Sequence, residues 1–165
     1  MPGLSGCSST YVGGYDYSPR PVDREVGQSG RMLLTVVGLR EAEKDVRGRA
    51  IEVQVQLENE GDVPLRLLPS GLALTSANLV TLRRPATEPA EGLTVEAGQT
   101  GRLTAYFELP QDEKAEQPDL DGLSLRASVL RDGEPLTNTV TFTKNSRENR
   151  GRSGIGFGVG VGVGL

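Results

Sequence analysis

Residues 50–59 read "AIEVQVQLEN". Ile51, Val53, Val55 and Leu57 alternate without a break with Glu52, Gln54, Gln56 and Glu58. In an extended strand successive side chains point to opposite faces, so this period of two puts four apolar residues on one face and four polar ones on the other. A helix would scatter the four around its circumference. The stretch predicts a half-buried antiparallel strand with one face on a core and one toward water.

The same pattern recurs outward from it. "RMLLTVVGL" (31–39) is a dense β-branched run closed by glycine. "NEGDVP" (59–64) supplies a turn, and Leu65, Leu67, Leu72 and Leu74 continue the alternation in short pieces split by Pro69. In "LTVEAGQTGRLTAYFELP" (93–110), a turn at Ala97-Gly98 leads to a strand. Its residues Leu103, Ala105, Phe107 and Leu109 face inward, and Arg102, Thr104, Tyr106 and Glu108 face outward. Pro110 closes it, because proline cannot donate to a ladder.

"GLSLRASVLRDGEPLTNTVTFT" (122–143) predicts a hairpin around Asp132-Gly133, a dipeptide that tolerates positive φ at both positions. Leu123, Leu125, Ala127 and Val129 form one inward row, and Val140 and Phe142 the returning one. "REAEKDVRGR" (40–49) is polar throughout and reads as a loop. About seven or eight short strands with turns every ~8–12 residues predict an all-β fold. That fold is an antiparallel immunoglobulin-like two-sheet sandwich over residues 31–144. A domain of this size can bury a sufficient core without disulfides.

Composition narrows the chemistry. The 165 residues carry a formal net charge of −4, so no electrostatic footprint for nucleic acid is expected. Histidine is absent, which removes the commonest general base and transition-metal ligand. A single cysteine permits no intrachain disulfide. No apolar run approaches the ~20 residues of a membrane-spanning helix. Neither a G-x-S-x-G elbow nor a phosphate-binding glycine loop occurs.

Carboxylates are the main route left to catalysis. The acidic stretch "QDEKAEQPDLDG" (111–122) holds Asp112, Glu113, Glu116, Asp119 and Asp121. "DLDG" resembles the start of a calcium loop, which makes Asp119 and Asp121 candidate ligands. Ser128 stands where that loop needs its bidentate Glu. A solvated loop is expected, with no metal and no cofactor. Arg83-Arg84 beside Pro85 could meet an anion but reads as a polar loop.

The one cysteine is the seventh residue. "LSGC" (4–7) resembles the lipobox of bacterial lipoproteins: an aliphatic residue, two small residues, then the cysteine that is lipidated after cleavage just before it. "MPGLSG" departs from that pattern, since it carries no basic region and no apolar core. The resemblance implies a lipid on Cys7, residues 1–7 as the remnant of a signal and lipobox, and a membrane partner through the anchor. Ser8 in place of an aspartate favours the outer membrane, facing the periplasm or the surface. Residues 8–30, rich in Ser, Gly, Pro and Tyr, have the composition of a disordered tether. Tyr11, Tyr15 and Tyr17 pack on the domain or sit at the membrane interface.

"IEVQVQLENEGDVPLRL" and "LTVEAGQTGRLTAYFELP" resemble segments of immunoglobulin-like domains in bacterial envelope lipoproteins. That family implies a binding or scaffolding module with no catalytic activity and a protein partner in the envelope. It fixes no ligand.

Residues 145–165 are a basic linker, "NSRENRGR" within it, and a tail. The tail, "GIGFGVGVGVGL" (154–165), alternates glycine with Ile155, Phe157, Val159, Val161, Val163 and Leu165. A strand of this sequence has one apolar face and one bare face. Ordering it alone is unfavourable, because glycine loses the most freedom on ordering. These six residues are expected to contact a partner and to form a strand only there. Two alternatives stand beside the binding module: a self-assembling structural protein that uses this tail, and a small carboxylate hydrolase.

Overall fold

A computed structural model of the chain describes residues 11–28, 30–41 and 48–146. Cys7 and the tail residues 154–165 lie outside this part, as does the middle of the 40–49 loop.

Eleven strands are described: β1 (Tyr17–Ser18), β2 (Val22–Glu25), β3 (Gly30–Arg40), β4 (Ala50–Asn59), β5 (Leu65–Leu67), β6 (Leu72–Ser76), β7 (Ala86–Glu88), β8 (Leu93–Val95), β9 (Thr100–Glu108), β10 (Gly122–Arg131) and β11 (Glu134–Lys144). They form two antiparallel sheets. One runs β2-β3-β4-β9-β7; the other runs β1-β11-β10-β5-β8, with β6 also paired to β10. Taking β3 and β4 as A and B, β5 with β6 as C, and β7, β9, β10 and β11 as D, E, F and G gives ABED on one sheet and CFG on the other. That is the strand order of a constant-type immunoglobulin sandwich.

The alternation read from the sequence sets the core. Ile51, Val53, Val55 and Leu57 are buried, as are Leu103, Ala105 and Phe107 across the β4/β9 ladder. From the other sheet come Leu123, Leu125, Ala127, Val129, Val140 and Phe142. Leu109 is only half-buried, because β9 has already ended at Glu108. The β10/β11 hairpin turns at Asp132 and Gly133, with φ of 52° and 79°. Both central residues are left-handed, which matches the twist of the flanking strands.

The sandwich begins ahead of Arg31, where the sequence reading had drawn its edge. Tyr17 and Val26 are 1% exposed and Val22 4%, so the stretch read as tether sends three side chains into the core. β1 pairs with the end of β11 and β2 with β3, so this short segment passes from one sheet to the other and covers that side only beside the end of β11. Its strands are two and four residues long. That is too short for a period to emerge, so Ser, Gly and Pro dominated the reading. Ahead of β1, Val12 donates its N–H to the Leu39 carbonyl at 2.8 Å, and Tyr11 bridges to Arg40. Gly38 sits at a β3 irregularity with φ of 148°. A Cβ there would lie 3.1 Å from the Tyr15 carbonyl oxygen, so glycine lets the crossing chain come close.

Candidate functional site

Three surface features stand out. The first is a turn between β6 and Leu82. Ser76 donates its N–H to the Val80 carbonyl at 2.9 Å, and Leu79 donates back to the Ser76 carbonyl at 3.0 Å. Thr75 and Thr81 bridge below it. The Ser76 hydroxyl donates to Asn78 Oδ1 (2.5 Å) and accepts from the Val80 N–H (3.1 Å). Asn78 Oδ1 also accepts the Asp119 N–H at 2.7 Å, and its Nδ2 donates to the Gln117 carbonyl at 2.9 Å.

At the tip of this network Leu79 has φ of 65° and is 83% exposed. The left-handed position after such a turn is where glycine is ordinarily found, and a branched side chain there is strained. The hydrogen bonds hold a costly conformation whose product is a leucine in water. The only other large hydrophobic residue exposed among those described is Tyr11, whose hydroxyl is engaged with Glu52.

Beside this turn lies the acidic loop. Asp112, Glu113, Glu116, Asp119 and Asp121 are all exposed there. Asp119 Oδ1 accepts the Asp121 N–H at 3.0 Å, an Asx turn, and Asp121 Oδ1 lies 2.6 Å from Lys144 Nζ. The Asp121 carboxylate hydrogen bond holds the Lys144 ammonium above its usual range. Among the described residues no group of three or more His, Cys, Asp or Glu side chains converges on a point where a metal could sit. Arg83 and Arg84 are exposed on the connection into β7.

The second feature is the outer face of the five-stranded sheet. Glu52 and Tyr106 point outward as their place in the alternation requires, yet they are 5% and 7% exposed. Tyr11 donates its hydroxyl to Glu52 Oε2 at 2.7 Å. Arg40 Nη1 is 3.7 Å from Glu52 Oε1, and its guanidinium lies 5.0 Å from the Tyr106 ring centre. A period-two pattern cannot show this cover, because its parts come from residues 11, 40, 52 and 106. Farther along, a shallow depression of about 280 Å³ is lined by Pro21, Leu33, Gln54, Gln56, Arg102 and Thr104, among others. No carboxylate lines it, so the hydrolase reading finds no convergent acid pair there.

The third feature is the free side of β11. β1 covers only Thr143 and Lys144 on that side, and no described strand pairs with Glu134 to Phe142 there. Lys144 donates its N–H to the Asp121 carbonyl, and Asn145 donates outward to Asp16. Since N–H and C=O directions alternate along a strand, Thr137, Thr139 and Thr141 present theirs away from β10.

No family model matches the chain, and no curated protein does. Solved structures similar to it include the yjhA protein from Bacillus subtilis, at 19% identity over 62% of this chain and 76% of that one, with a TM-score of 0.39. Two yeast domains are also similar. The GGA1 GAE domain has 10% identity over 76% of this chain and 98% of that one, TM-score 0.33. The GAE domain of GGA2p from Saccharomyces cerevisiae has 9% identity over 78% and 99%, TM-score 0.32. The assignment of the sandwich rests on the strand order above and not on these likenesses.

Proposed function

We propose that this chain is a non-catalytic binding or scaffolding module of the bacterial cell envelope, anchored in a membrane by a lipid on Cys7 and engaging a protein partner. The observation that carries the binding role is Leu79. Backbone strain of this kind, about 1–3 kcal/mol, persists where the surroundings over-determine it, and strained residues cluster at functional sites such as ligand clamps and switch regions. Here the strain exposes an apolar side chain beside an acidic loop. A partner with an apolar socket and a basic rim complements that pole.

The envelope location is argued from "LSGC" and from nothing in the sandwich. One acyl chain gives only marginal membrane binding, at about 10⁴ M⁻¹, so the several chains of a lipoprotein are what would make the anchor stable.

The two halves are tested separately. With a lipoprotein signal placed ahead of residue 1 in a bacterial host, the wild type should partition with membranes and Cys7→Ser should not. An unmodified N-terminus that keeps residues 1–6 would sink the anchor. For the binding role, a benzophenone side chain is placed at position 79 of the full chain in its native host, with a control at exposed Glu96. A discrete cross-linked protein at 79 and none at 96 is the expected result. Identical patterns at both positions would count against the Leu79 surface.

A further inference from the structure

We infer that residues 154–165 of this chain add as a strand to the open side of its own β11, along Leu136 to Phe142.

The open side asks for a cover. A long edge with free N–H and C=O groups is a template for pairing with other chains, and natural sheets pair it, cover it or blunt it. Here the blunting of the outward backbone groups is confined to the ends, while on the inner face the Asn138 side chain donates to the Glu25 carbonyl at 3.1 Å. Pro135 has no N–H to offer at one end, and β1 occupies Thr143 and Lys144 at the other. Between them stand Thr137, Thr139 and Thr141, all exposed, with no charged residue from Leu136 to Phe142.

The tail fits this edge in period, in length and in reach. On β11 the inward row is Leu136, Asn138, Val140 and Phe142, of which Val140 and Phe142 are buried and Leu136 is half-buried at the rim. A neighbouring strand in register extends that row by one apolar residue in two. The tail supplies that alternation from Ile155 to Leu165, with glycine at every other position. Its twelve residues exceed the seven from Leu136 to Phe142 that it must match. The chain leaves β11 at Lys144, so only residues 145–153 have to reverse direction past β1. Nine residues reach up to ~30 Å, against a strand spacing of about 4.8 Å. A connection of only nine residues also holds the tail at an effective concentration of about millimolar, which favours the chain's own edge over that of a second copy. That connection carries Arg147, Arg150 and Arg152, opposite in charge to Asp121, beside which β11 ends.

This inference stands on β11 and the tail alone, apart from the lipid and from Leu79. Amide hydrogen exchange on the full chain tests it. The amides of Thr137, Thr139 and Thr141 should exchange about tenfold or more slowly in the wild type than in the double variant Val159→Asp, Val161→Asp. Those of Asn138 and Val140, which face β10, should be equally protected in both, which shows that the sandwich is intact. A second variant, Thr139→Pro, removes an outward N–H from the edge. In it the methyl resonances of Val159, Val161 and Val163 should move to random-coil positions. Equal exchange of the three threonine amides in wild type and double variant overturns the inference. So does protection that rises with protein concentration, since that would assign the edge to another copy's tail.

Discussion

The hydroxyl of Tyr17 donates a hydrogen bond of 2.7 Å to the carbonyl of Leu120, 103 residues further along the chain. It ties β1 to the last turn of the acidic loop, from inside the core. Burial, then the nearby Tyr15, Asp121 and Asp119, push the phenol well above its ordinary value of 10.0. A group whose folded pKa is raised contributes stability that is whole below its unfolded pKa and is lost as pH rises toward the folded one. Lys144, raised by Asp121, acts in the same direction above 10.5. Urea midpoints should therefore fall above about pH 10. Tyr17→Phe should flatten that alkaline decline while lowering stability at pH 7 by about 1 kcal/mol, the worth of one hydrogen bond. An alkaline decline as steep in Tyr17→Phe as in the wild type would rule out Tyr17 as its source.

Asn59 ends β4 and is 2% exposed. Its amide donates to the Val63 carbonyl at 2.7 Å and the Val95 carbonyl at 3.0 Å, and its oxygen accepts the Gly61 N–H at 3.0 Å. One side chain thus closes the turn after β4 and pins β8 beside it. Asn59→Ala leaves three backbone groups to find other partners, so a loss of about 2–4 kcal/mol is expected in urea unfolding. Asn59→Asp should cost at least as much, because a carboxylate would face two carbonyls. A loss under 1 kcal/mol in both would mean that water replaces the amide without penalty.

Leu79→Gly should make the protein more stable. Relief of left-handed strain, about 1–2 kcal/mol, exceeds the extra backbone entropy that glycine loses, about 0.5–1 kcal/mol. The net gain of about 0.5–1 kcal/mol should appear as a melting temperature a few degrees higher. A drop on substitution would show that the leucine serves the fold after all.

Thermal melts with and without a divalent chelator should coincide. Asp119 already holds a backbone N–H and Asp121 an ammonium group, so neither carboxylate is left idle for a cation. A chelator-induced fall of several degrees, restored by calcium, would return both residues to candidacy as ligands.

Much of the sandwich was legible because its long strands carry their own period. Ile51 to Leu57 and Leu123 to Val129 are inward rows that need no partner to be recognised. The turn at Asp132-Gly133 was legible for a similar reason, since few dipeptides accept its backbone angles. The entry of the chain was not. Tyr17 and Val22 sit in strands of two and four residues, and only their contacts with distant parts of the chain make them core. The candidate surfaces were hidden for a different reason. Nothing in "TSANLV" announces that Leu79 is left-handed; the signal available is a polar turn flanked by Thr75 and Thr81, with leucine where glycine would mark a hairpin after Asn78. The cover over Glu52 is likewise assembled from remote residues.

Residues 16 to 18 run antiparallel beside residues 143 to 145, so the two ends of the sandwich depart from neighbouring points at one pole. Tension between the two extensions would therefore not be shared by the ladder. It would open the contacts of Tyr11 and Val12 with Arg40 and Leu39, then the Asp16–Asn145 bond and each β1–β11 bond in turn, as a zip opens, before the inner strands of the sandwich gave way. A domain joined to its surroundings at both ends in this way behaves mechanically as a clasp, yielding at its margin long before its core.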